Sequence, residues 1–179
     1  MTIVEALKTK KRLNKKLEDL RKKISDYSAH LDSEKPVYGT EQRARVQGWV
    51  QAHGDLVTKI EELSIAIQKT NLATQVEIQL GGKPVKKSIS QWILRRTSLA
   101  AHEQACHAAL HDRNLRDTYV TAADGKTKLP VQVVRYFDPV ERDRMVDVYR
   151  HEPSMIDQKL EVVNATTQLV DAVEVKEEV

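Results

Sequence analysis

Apolar residues recur at steps of three and four from the start of the chain: Ile3, Ala6, Leu13, Leu17, Leu20, Ile24, Tyr27 and Leu31, with Lys10 in the same register. This is the spacing of a heptad seam, which keeps one side of a helix facing a partner helix. The flanking positions are Lys, Arg, Glu and Asp, so the stripe is narrower than the face of a helix lying on a thick globular core. Thr2 followed by Glu5 has the form of a capping box and predicts that the helix begins at once. DSEKPVYGT, residues 32–40, then supplies the Pro and Gly that break helices, with Thr40 as the expected next N-cap. Val46, Trp49, His53, Leu56, Ile60, Leu63, Ile67 and Thr70 resume the alternation. A connection this short predicts two antiparallel neighbours, each arm about 45 Å long at 1.5 Å per residue. His53, within the second seam, is expected to be satisfied by a partner or water near the helical interface rather than to act as a pH switch.

Beyond this hairpin the period changes from helical to strand-like. Val76, Ile78 and Leu80 alternate before Gly81 and Gly82, which predicts a short β-hairpin. SISQ, residues 88–91, opens a third helix with Ile89, Trp92, Ile93, Leu99, Ala100, Cys106 and Leu110 on one broad side, ending near Asn114. TYVTAADGKTKLPVQVVRYFD, with the turn dipeptide Asp124-Gly125, predicts a second hairpin in which Pro130 takes an edge position. Asp138, Pro139 and Glu141 start a fourth helix, which Pro153 is expected to interrupt or end. A last helix then follows, with Ile156, Leu160, Val163 and Thr167 as its seam. The expected organisation is a long helical hairpin over 1–74, a β-hairpin over 75–87, a third helix over 88–114, a β-hairpin insertion over 115–138, C-terminal helices over 139–170 and a flexible acidic tail over 171–179. The fold class is mainly α, with a coiled-coil-like antiparallel hairpin, further helices and one or two small β-hairpins.

IQKTNLATQV, residues 67–76, is echoed by LEVVNATTQL, residues 160–169: both carry an Asn and then Thr-Gln-aliphatic. A duplicated structural device is the expected reading, in preference to a duplicated active site. Asn71 and Asn164 either terminate their helices in the left-handed conformation or face one another in a polar layer that fixes register.

Composition narrows the chemistry. Aromatic residues are 4% and charged residues 31% of the chain, which favours long amphipathic helices over a large core. The single cysteine, Cys106, excludes an intrachain disulfide and suggests a reducing compartment. With no leader-like or membrane-spanning apolar run, the expected location is the cytoplasm, or a virion if the protein is phage-encoded, with no membrane partner. HEQACHAALHD, residues 102–112, places His107 five positions after His102, about 140° around a helix, so the zinc-protease pattern is absent. His102 with Cys106, and His107 with His111, remain two-ligand pairs that would need further ligands, and a solvated helix face is the expected outcome. Cys106, placed on the apolar side, has no orienting partners as a nucleophile. LGGKPV lacks the spacing of a phosphate-binding loop. No catalytic, cofactor-binding or metal-binding residue is assigned, no cofactor is expected, and the protein is read as non-enzymatic. Lys8, Lys10, Lys11, Arg12, Lys15, Lys16, Arg21, Lys22 and Lys23 crowd the first helix, so nonspecific nucleic-acid contact is the rival reading.

The order of MTIVEALKTKKRLNKKLEDLRKKI, IEELSIAIQKTNLAT, SISQWILRRTSL and IDQKLEVVNATTQL resembles the septicolysin-like family of small helical proteins. The resemblance implies a shared layout over most of the chain and carries no catalytic or binding residue with it. The TYVTAADGKTKLPVQVVRYF segment departs from that pattern, and neither a spanning helix nor a long amphipathic hairpin supports the pore that the family name suggests. Trp49, Val50, Val57, Trp92 and Ile93 are apolar surface that two slender seams leave uncovered. The expected function is therefore structural: a homo-oligomeric subunit, with other structural proteins as partners, of the kind found in a bacteriophage capsid, neck or tail. A cytolytic or metal-binding protein is the further alternative.

Overall fold

The computed structural model describes residues 1–112, 119–123 and 125–171. The fold is mainly α. Helices α1 (Ile3–Tyr27) and α2 (Gln42–Ala73) are followed by strands β1 (Gln75–Leu80) and β2 (Lys83–Ser88). Next come α3 (Ile89–Leu94), a π-helical stretch (Arg95–Leu99), α4 (Ala100–Ala108), strands β3 (Tyr119–Thr121) and β4 (Lys128–Pro130), and α5 (Pro139–Thr166). The chain divides into two compact units. One holds Met1–Gln75, Ser88–Ser90 and the chain from Leu160 on; the other holds Val76–Lys87 and Gln91–Lys159. Asn114, Asp124 and the tail after Asp171 lie outside the described residues.

In the first unit the two predicted seams face each other. The capping box at Thr2 and Glu5 is formed in both directions. The Thr2 hydrogen bonds hold the Glu5 carboxyl below its usual range. Ala6 of α1 packs with Leu63 and Ile67 of α2. At the other end Tyr27, Tyr38 and Trp49 form a triangle of rings with centroids 5.3–5.7 Å apart. The start of α1 against the end of α2, and the reverse at the tip, is the antiparallel hairpin the short connection predicts. Two details differ. Helix α1 stops at Tyr27, leaving Leu31 exposed in the connection. Thr40 lies in a 3₁₀ turn and does not cap α2. Instead the Gln42 side chain bridges the connection, its Nε2 donating to the Tyr27 carbonyl at 2.6 Å and its Oε1 accepting from the Tyr38 amide at 3.1 Å.

The two echoed segments perform the same local task. Helix α2 ends at Ala73; Thr74 turns extended, its amide donating to the Thr70 carbonyl at 2.9 Å, and Gln75 opens β1. Helix α5 ends at Thr166; the Thr167 amide donates to the Val163 carbonyl at 2.9 Å, and Gln168 pairs antiparallel with Thr2. Each Thr carbonyl then accepts from the first residue of another helix, Ile89 to Thr74 at 3.1 Å and Ile3 to Thr167 at 3.0 Å. The first amides of a helix have no partner within it, so each echo closes one helix and satisfies the entry of the next. Both isoleucines are buried. Asn71 and Asn164 lie inside α2 and α5, so neither is a left-handed terminator. The Oδ1 atom of each is buried without a hydrogen-bond partner among the described residues.

Thr70 of the first echo is tied to the residue that follows the second: its hydroxyl donates to the Ala66 carbonyl at 2.8 Å and accepts from the Val170 amide at 3.0 Å. Thr70→Val keeps the volume and strands that amide, an expected cost of about 1–2 kcal/mol and a fall in Tm of about 4 °C. Circular dichroism melts of Thr70→Val and Thr70→Ser decide it; a Val variant that melts with the wild type contradicts the role.

In the second unit Trp92 is fully buried, its indole N–H donating to the Val76 carbonyl at 2.9 Å. It is therefore core, and not uncovered surface. Gly81 and Gly82 turn the first hairpin at φ 56° and 82°, values that glycine reaches without strain. Asp138 receives the Val140 amide at 2.9 Å ahead of Pro139, as the sequence predicts. Pro153, however, neither ends nor interrupts α5. A proline there forfeits one helical hydrogen bond; its neighbour Glu152 and Ile156 on the next turn are buried, and burial of that face offsets the loss. The π-helical stretch is the other departure. Its wider turn shifts the register of α4, and Cys106 is exposed while Ala100 is buried; Leu99, within the stretch, and Leu110, beyond the end of α4, are exposed too. Helix α4 stops at Ala108, short of the boundary the apolar pattern predicts.

Candidate functional site

The residues with potential chemistry in HEQACHAALHD are dispersed. His102 and Cys106 are exposed, and His111 lies beyond the end of α4, so the spacing of four from His107 does not put both on one helix. His107 is stacked on Tyr149 of α5, with ring centroids 5.5 Å apart. Among the described residues no group of three His, Cys, Asp or Glu side chains is placed to hold a metal ion.

What the second unit does concentrate is a buried ion pair. Arg95, the first residue of the π-helical stretch, meets Glu152 of α5 through two contacts, Nε to Oε1 and Nη2 to Oε2, the latter at 3.0 Å. The Glu152 side chain is 1% exposed and that of Arg95 17%. Bonding to Glu152 raises the Arg95 pKa, which keeps the guanidinium charged. Its carbon lies 5.7 Å from the Tyr149 ring centre. Burial pushes the Tyr149 phenol above its ordinary range, so it stays protonated at neutral pH. His107, Tyr149, Arg95 and Glu152 thus form one continuous ladder across α4, the π-helical stretch and α5. Arg96 adds a second tie between the same elements through Asp157. Sequence reasoning passed over Arg95 and Glu152 because each reads as one more charge on an amphipathic helix.

The first unit presents a surface of a different kind. Val50, Val57, Ile65 and Leu72 of α2 are between 45% and 64% exposed. Their intervals of seven, eight and seven residues hold them within an arc of about 80° on the side of the helix away from its packed seam. Val50 and Val57 were expected as uncovered surface; Ile65 and Leu72 extend the row. Trp49, by contrast, is occupied by the tyrosines at the tip. The basic residues of α1 are exposed except Lys10, and Glu18, Asp19 and Asp26 are interleaved with them. In the second unit β3 and β4 pair, among the described residues, only with each other, from Tyr119 against Pro130 to Thr121 against Lys128. Tyr119, Val120 and Leu129 are each at least half exposed. No helix among the described residues is long and apolar enough to cross a membrane.

A model of a family described as of unknown function, DUF6847, matches residues 10–169. A search among curated proteins returns no match. Among solved structures the chain is similar to one described as a functionally unknown conserved protein from Corynebacterium diphtheriae, at 17% identity and a TM-score of 0.53, covering 94% of this chain and 98% of the other. At that identity the likeness is one of fold.

Proposed function

The chain belongs to the DUF6847 family of unknown function, and we propose that it is a non-enzymatic structural protein that self-associates through the exposed stripe of α2. The observation that carries this reading is the symmetry of the stripe. Val50 and Leu72 lie eleven residues either side of Glu61, and Val57 and Ile65 lie four residues either side of it. In an antiparallel pair of α2 helices centred at Glu61, Val50 of one copy meets Leu72 of the other and Val57 meets Ile65. A two-fold interface requires this self-complementarity. A patch for an unrelated partner has no need of it. The bared β3–β4 hairpin offers a second surface, since an isolated two-stranded hairpin is marginal in water and its edges accept a further strand. A subunit with two such surfaces suits a repetitive assembly, and a bacteriophage capsid, neck or tail component is the setting this reading assigns by architecture. The resemblance to septicolysin-like proteins contributes layout and no activity.

Sedimentation velocity at micromolar concentrations tests the proposal. A dimer or larger species is expected across a tenfold dilution series, and a monomer throughout removes the reading.

A further inference from the structure

The second unit also carries an open cleft of about 340 Å³, within the range of small-molecule sites. One wall is β2, where Lys83, Val85 and Lys87 alternate onto the same face of the strand. The opposite wall is α5, where Met145, Val148, Tyr149 and Glu152 share a face at steps of three, one and three. We propose that this cleft binds a small organic anion, a phosphate or carboxylate joined to an apolar body.

The charge balance gives the sign of the ligand. Arg95 is neutralised by Glu152, and Arg144, at the edge of the cleft, is held by Glu141 at 2.6 Å. Lys83 and Lys87 have no anionic partner among the described residues, which leaves the cleft with two uncompensated positive charges. Val85, Met145 and Val148 supply apolar walls for the rest of the molecule. The protonated Tyr149 phenol adds a neutral hydrogen-bond donor. The buried ion pair, whose two residues line the cleft, holds the π-helical stretch to α5, so that part of the lining is fixed before any ligand arrives. The LGGKPVKKS segment, which has no phosphate-loop spacing, thus acquires a role through its lysines.

Isothermal titration calorimetry of the full chain with phenyl phosphate tests this, with inorganic phosphate and phenol as the separated halves. Phenyl phosphate is expected to bind at millimolar concentration or below, each half about tenfold more weakly or not at all. The Lys83→Ala/Lys87→Ala double variant, altered outside the core, is expected to keep its Tm and lose affinity about tenfold, the effect of losing a hydrogen bond to a charged group. Three results overturn the proposal: no heat from phenyl phosphate, equal affinity in the double variant, or phosphate alone binding as tightly as its phenyl ester. The cleft does not use the α2 stripe, so a chain made monomeric by Val57→Glu is expected to bind phenyl phosphate as the wild type does.

Discussion

Under the proposed α2 pairing, Val57→Glu is expected to leave the protein monomeric at micromolar concentration without unfolding it. Val57 is 46% exposed on α2, so the substitution removes little burial within the subunit, and surface changes away from the core usually shift stability by only about 0.5 kcal/mol. In the antiparallel pair centred at Glu61 the new carboxylate would be driven against Ile65 of the partner copy, twice per two-fold interface. Burying an unpaired charge there is among the costliest changes an interface can suffer. Ile65→Glu is expected to act in the same way, because the two residues are exchanged by the two-fold axis. Glu61→Gln is expected to act in the opposite direction, tightening association by removing the like charges that meet at the axis. Sedimentation velocity on the three variants checks all of this. If Val57→Glu and Ile65→Glu sediment as the wild type while retaining its Tm, the α2 interface is wrong.

The second large effect lies in the other unit. Glu152→Ala is expected to lower stability by about 3–5 kcal/mol, a fall in Tm of about 10 °C, because it leaves the Arg95 guanidinium without its partner beneath Tyr149. The pair itself need not be stabilising relative to an apolar filling, since desolvating both charges offsets much of their attraction. Arg95→Met combined with Glu152→Leu is therefore expected to recover most of the loss. Calorimetric melts of the single and double variants separate the two effects. A Glu152→Ala protein melting within 2 °C of the wild type would mean that the buried contact holds nothing. A double variant no better than the single would show that the charges themselves are needed.

Both predictions concern features whose legibility in the sequence differs. The α1–α2 hairpin could be read almost residue by residue, because a heptad seam needs only the local spacing of apolar side chains and its partner is the next helix along. The first hairpin and the entries of α1 and α5 were legible for the same reason: Gly81-Gly82, Thr2 with Glu5, and Asp138-Pro139 state their geometry within a few residues. The C-terminal half of the third helix was misread because a π-helical turn leaves no mark in a pattern sampled at 3.6 residues per turn. One wider turn moved Cys106 off the face that the spacing assigned it, and the helix ends before Leu110. Pro153 was misread because the helix-breaking preference of proline is a few kcal/mol, and packing around Glu152 and Ile156 outweighs it. The Arg95–Glu152 pair was not legible, since its partners are 57 positions apart and no local pattern distinguishes a buried Glu from a solvated one.

The sequence by itself determined where α1 begins and which sides of α1 and α2 are apolar, and it showed that the Asn-Thr-Gln segment occurs twice. These follow from backbone propensity, capping and side-chain period, all of which act within one or two turns. Only the tertiary structure decided what the repetition is for. The two Thr carbonyls receive the amides of Ile3 and Ile89, residues remote from them or reached through a hairpin, and the Thr70 hydroxyl receives Val170 from a hundred positions away. A hydrogen bond is satisfied by whichever partner the packed chain brings within reach, and local sequence does not encode that proximity.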